Sequence, residues 1–76
     1  MTTGQLHTLL IARLTRTSGG TARGWRIALG PIKVRSAATH VHCNWEVEPS
    51  GTEREIAAIE RLLDQVRLDH PLVTID

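Results

Sequence analysis

Apolar and polar positions change their rhythm once along the chain, near residue 50. Before that point an alternating pattern dominates, and after it a helical one. The plainest alternation runs from Ala37 to Glu48. It sets Thr39, Val41, Cys43, Trp45 and Val47 on one face and His40, His42, Asn44, Glu46 and Glu48 on the other. Successive side chains of a strand point to opposite faces, so this reads as a strand with one core face and one wet face. Gln5–Thr15 also alternates, with Leu6, Leu10 and Leu14 on one side. It is taken as the first strand, although its Leu and Ala content also suits a helix.

The run Thr17-Ser18-Gly19-Gly20-Thr21 follows, and paired glycines between apolar runs signal a hairpin. The second strand is then Gly24–Leu29, with Trp25, Ile27 and Leu29 on one face. Gly30-Pro31 interrupts it, because proline cannot donate to a ladder. Ile32-Lys33-Val34-Arg35 alternates again in the opposite parity to Cys43 and Trp45, so a bulge or turn is expected around Ser36-Ala37.

Beyond Pro49-Ser50-Gly51 the period becomes helical. Thr52-Glu53-Arg54-Glu55 has the form of a capping box. Ile56, Ile59, Leu63 and Val66 make one stripe with Leu62 beside it, the mark of a core-facing helix. His70-Pro71 ends this helix, and Leu72–Ile75 reads as a short last strand. The expected fold class is α+β: a small antiparallel sheet in the order β-β-β-α-β, with one amphipathic helix packed on one face. Residues 1–76 are expected to form one domain, with a sheet region over about 5–48, a helix over 52–69 and a final strand over 72–75.

Composition adjusts this picture in two ways. There are two Trp and no Phe or Tyr, so the core has to be aliphatic around two indoles. The single cysteine rules out an intramolecular disulfide and suits a reducing compartment. Neither a membrane-length apolar run nor a secretory leader is legible, so a cytoplasmic location is expected.

Net charge is only +1, but it is unevenly spread. Residues 1–45 hold Arg13, Arg16, Arg23, Arg26, Lys33 and Arg35 and no acid, while all the acids fall after residue 45. Such a chain offers a basic region to an acidic partner, unless its own acidic half covers it.

Four constellations could carry chemistry. His40 and His42, two apart on a strand, would project together and could share a zinc ion if a third ligand joined them; otherwise they are exposed sheet histidines. Cys43 would need a base in reach to act as a nucleophile. Its same-face neighbours Val41 and Trp45 instead suggest an inert, buried thiol. The basic residues would bracket the glycine turn as a finger for phosphate or an acidic protein surface, or simply form a solvated charged face. Trp25 is the one aromatic among them and is read as core, so no interleaved aromatic offers bases a stacking platform. Trp25 and Trp45 are read as core anchors, and either would become an interface anchor if exposed.

The function expected is that of a small non-enzymatic binding or regulatory module. It would act through a basic N-terminal β-hairpin and an uncovered sheet face on an acidic protein or nucleoprotein partner, in the manner of anti-CRISPR and other phage- or mobile-element inhibitors. The contact residues would be Arg13, Arg16, Arg23, Arg26, Lys33 and Arg35. The alternatives are sequence-nonspecific nucleic-acid binding by the same residues, and a metal site on His40 and His42. No cofactor other than that zinc and no membrane association is expected, and a homodimer would be compatible with the opposed charges.

Overall fold

A computed structural model describes residues 1–75. Its elements are α1 (Thr3–Ser18), α2 (Ala22–Leu29), β1 (Lys33–Val34), β2 (Trp45–Glu46) and α3 (Glu53–Asp69). The protein is therefore α+β, but three helices and a two-stranded antiparallel sheet replace the expected order β-β-β-α-β. The sheet region expected over 5–48 is mostly helix and turn.

The first correction is Gln5–Thr15, which lies within α1. Leu6, Leu10 and Leu14 satisfy both periods, being an even number of residues apart and also one helical turn apart. The residues between them decide. A strand would bury Thr8 and Ala12 with the leucines, yet both are exposed, and Leu9 and Ile11 flank the buried stripe instead. A capping box starts this helix. Thr2 Oγ1 accepts from the Gln5 amide at 3.2 Å. The Thr2 amide in turn donates to Gln5 Oε1 at 2.9 Å.

The glycine pair does not turn a β-hairpin. Gly19 and Gly20 have φ of 74° and 81°. The Gly19 amide donates back to the Thr15 carbonyl, so the pair ends α1. A Cβ on Gly20 would lie 3.2 Å from Trp25 Nε1, whose N–H donates to the Gly19 carbonyl at 2.7 Å. Thr21 then caps α2 by accepting from the Gly24 amide. Trp25, Ala28 and Leu29 are its buried residues, at helical spacing, so the strand expected over Gly24–Leu29 is a helix. Ile27, placed by alternation on the core face with Trp25, is 67% exposed.

The third expected strand, Ala37–Val47, is reduced to Trp45–Glu46. Its first half is a turn: the Ser36 carbonyl accepts from the amides of Thr39 and His40, and Ser36 Oγ accepts from the Ala38 amide. Serine offers the backbone these local partners in competition with a ladder. Alternation survives from Trp45 onward, with Trp45 and Val47 buried and Glu48 exposed. Antiparallel pairing sets Lys33 opposite Glu46 and Val34 opposite Trp45.

Helix α3 begins at the expected capping box, with Thr52 Oγ1 accepting from the Glu55 amide and Glu55 Oε1 accepting from the Thr52 amide. It buries Ile59, Leu63 and Val66. These meet Leu6, Leu10 and Leu14 of α1, Leu29 of α2, and both indoles in one cluster, so the helices pack mainly on each other rather than on a sheet face. The last segment is not a strand: Thr74 makes one parallel bridge to Thr2, with Thr3 donating to the Thr74 carbonyl and Thr74 to that of Met1.

Asn44 locks that segment to the short sheet. Sequence alternation places it on the wet face, yet it is 3% exposed. Its Nδ2 donates to the carbonyls of Arg35 and Val73, and its Oδ1 accepts from the Val73 amide. Its own amide donates to the Pro71 carbonyl. An amide side chain both donates and accepts, so it can stand in for a strand between two backbones.

Candidate functional site

The six basic residues of the N-terminal half divide into two groups. Lys33 and Arg35 lie in and just after β1, and the short sheet brings acids to them. Lys33 Nζ is 2.7 Å from Glu48 Oε1, and Arg35 Nη2 is 2.5 Å from Glu46 Oε1. The hydrogen bond from Lys33, reinforced by its charge, holds the Glu48 carboxyl below the usual glutamate range. Exposed pairs of this kind are worth little to stability, but they neutralise two of the six cations locally.

Arg13 and Arg16 lie on α1, and Arg23 and Arg26 on α2. They do not sit on a hairpin of strands, as alternation implied, but on two packed helices. Neither helix contains an acid. Among the described residues none of these four arginines is in an ion pair. Arg16, Arg23 and Arg26 are exposed and Arg13 is half-buried. The acids of α3 are therefore not used to cover them. The only ion pair of α3 among the described residues is internal, Arg67 to Asp64 at 3.8 Å. Arg67 also stands 5.7 Å above the centre of the Trp45 ring, within reach of a cation–π attraction.

Within each helix the two arginines are three residues apart and so are neighbours on its surface. Between the helices lies a hollow of about 440 Å³, lined by Ile11, Ala12, Thr15, Arg16, Ala22 and Arg26. A second, of about 350 Å³, lies beside the start of α1 and is lined by Thr3, Gly4, His7, Gly30, Pro31 and again Arg26. Arg26 thus lines both hollows, while Arg13 and Arg23 line neither.

The other candidates fare differently. His40 and His42 lie in the turn and bend after Ser36, both exposed, and not side by side on a strand. His40 Nδ1 is 2.9 Å from Thr39 Oγ1. Among the described residues no three His, Cys, Asp or Glu side chains converge in a way that could hold a metal ion. Cys43 is half-buried against the core, and its thiol donates to the Trp45 carbonyl. Trp25 and Trp45 are both buried, and the Trp45 N–H donates to the carbonyl of His70.

Reading strands in the first half missed Ile11, Ala12, Ala22 and His7 as members of a basic groove. The missed signal is local. Thr2-x-x-Gln5 marks one helix start with the same capping box as Thr52-x-x-Glu55, and Thr21 marks another with a cap residue alone. No helix among the described residues is long and apolar enough to cross a membrane. The chain matches no protein-family model, no curated protein and no solved structure, so a functional reading rests on the arrangement of these residues.

Proposed function

We propose that the protein is a non-enzymatic binding module that docks an acidic protein surface through the arginine face of α1 and α2. The observation that carries this is the contrast in pairing. Lys33 and Arg35 have acidic partners within the chain, whereas Arg13, Arg16, Arg23 and Arg26 have none among the described residues. Like charges gathered on neighbouring helices repel each other, and an external acid relieves that repulsion. Charge complementarity of this kind raises the rate of encounter and selects against basic partners.

A protein partner is favoured over nucleic acid by what lies between the arginines. The floor there is Ile11, Ala12 and Ala22, suited to apolar side chains. Both tryptophans are buried and so offer bases no stacking platform. A small module of this kind fits the role of an accessory or inhibitory subunit that occludes an acidic surface of a larger assembly.

The test is capture from the native host with tagged wild-type protein and with Arg16→Glu plus Arg26→Glu, from lysates with and without nuclease. A protein that survives nuclease and is lost with the variant is expected. Recovery of nucleic acid alone, or equal capture by both forms, would refute the reading.

A further inference from the structure

We propose that the groove between α1 and α2 seats an acidic amphipathic helix of the partner, gripped by Arg16 and Arg26 over the floor formed by Ile11, Ala12 and Ala22. This rests on the reading of α1–α2 as the docking face and goes further by naming the shape of the ligand.

Three features point to a helix. The two hollows follow α1 from Thr3 to Arg16. At the helical rise that stretch is about 20 Å long, which suits a helix of a few turns. The groove is lined by small residues, Gly4 and Ala12 from α1, Ala22 at the start of α2 and Gly30 just after its end. Small residues let a further helix come close. The first hollow is lined by residues of α1 and α2 alone and presents no strand edge. An extended segment laid there would find no ladder of main-chain partners, whereas a helix arrives with its own satisfied.

The arginines then take two roles. Arg16 and Arg26 line the groove, one from each helix, and would meet carboxylates on the two flanks of the incoming helix. Arg13 and Arg23 line neither hollow. Each precedes its neighbour by three residues, which turns it about 60° further round the helix. They would attract an acidic surface without touching the seated segment. Acidic groups flanking an apolar stripe are the complement of this pattern, and a polyanion lacking the stripe is not.

Fluorescence anisotropy at physiological ionic strength decides the matter with three labelled probes: a short helical peptide with leucines on one face and glutamates beside them, a polyglutamate of equal charge, and a short DNA duplex. The proteins are wild type, Ala12→Phe, Arg16→Gln with Arg26→Gln, and Arg13→Gln with Arg23→Gln, each checked for unchanged helicity and melting. Ala12 is exposed, so phenylalanine there fills the groove without disturbing the core or the charge.

Wild type is expected to bind the amphipathic peptide at least about tenfold more tightly than polyglutamate. Ala12→Phe should remove that preference and leave polyglutamate binding unchanged. The inner arginine pair should cost the peptide more than the outer pair does, while both affect polyglutamate alike. Peptide binding that is indifferent to Ala12→Phe, or equally sensitive to inner and outer pairs, would overturn the groove while leaving the acidic docking face standing. Binding of neither acidic probe, or tighter binding of the duplex than of both, would overturn the docking face itself.

Discussion

Replacing Asn44 by alanine should destabilise the protein by about 2–4 kcal/mol. The side chain makes three hydrogen bonds in a site that is 3% exposed: to the Arg35 carbonyl at 3.1 Å, to the Val73 carbonyl at 2.8 Å and from the Val73 amide at 2.8 Å. Each such bond contributes about 1 kcal/mol net, and a buried amide left without an acceptor costs about 1–3 kcal/mol. A domain this small has about 3–5 kcal/mol in total, so the variant should sit close to its unfolding midpoint in dilute buffer. Urea unfolding followed by the fluorescence of the neighbouring Trp45 measures this directly. The midpoint should fall by roughly 2 M or more, given a slope of about 1 kcal/mol per molar urea for a small chain.

Asn44→Asp provides an internal control. It keeps an acceptor for Val73 but turns an oxygen toward two carbonyls, and burial with such neighbours raises the folded-state pKa of that aspartate. A raised folded pKa means that the variant is most stable below the unfolded-state value and loses stability as pH rises through the folded one. The Asp variant should therefore recover at acid pH relative to wild type, and the Ala variant should not. A loss below about 0.5 kcal/mol for Asn44→Ala, or no pH dependence in the difference between Asp and Ala, would refute the role of Asn44 as the lock between sheet and tail.

Thr2→Ala and Thr52→Ala each remove a helix cap and should cost about 0.5–2 kcal/mol, measurable by urea unfolding. A fall in helical circular dichroism for Thr2→Ala would place its effect on α1. The Lys33–Glu48 pair lowers the folded pKa of Glu48, so its small contribution is present at neutral pH and is lost as pH falls through that lowered value. The stability difference between wild type and Lys33→Met should accordingly shrink on acidification and with added salt, and a difference that grew would contradict the pairing. Zinc added to metal-free protein should leave the melting temperature unchanged, since His40 and His42 have no converging third ligand among the described residues; a stoichiometric rise would revive a metal site.

How far the sequence could be read depended on whether the local signals agreed. At Thr52–Glu55 the cap, the dipole-matched glutamates and the apolar stripe all favour a helix, and α3 starts there. In α1 the leucine spacing fits two periods, and the glycine pair behind it tips the reading toward a hairpin. Positive-φ glycines, however, end helices as readily as they turn strands. The cap at Thr2 and Gln5 would have resolved the ambiguity. Asn44 was illegible for another reason, since its hydrogen bonds run to Val73, far along the chain, and no local pattern reports such a pairing. The charged residues of the site were visible from the start. Their division into paired and free groups was not, because it depends on β1 and β2 bringing Glu46 and Glu48 beside Arg35 and Lys33.

The central claim is that α1 and α2 together form the docking face for an acidic protein partner. Titrating isotopically labelled protein with the amphipathic acidic peptide while recording amide chemical shifts tests it most directly. Perturbations confined to α1, α2 and the adjoining residues 30–32, largest around Ala12, Arg16, Ala22 and Arg26, are the predicted result. Perturbations centred on α3 or on the turn carrying His40 and His42, with α1 and α2 silent, would contradict it.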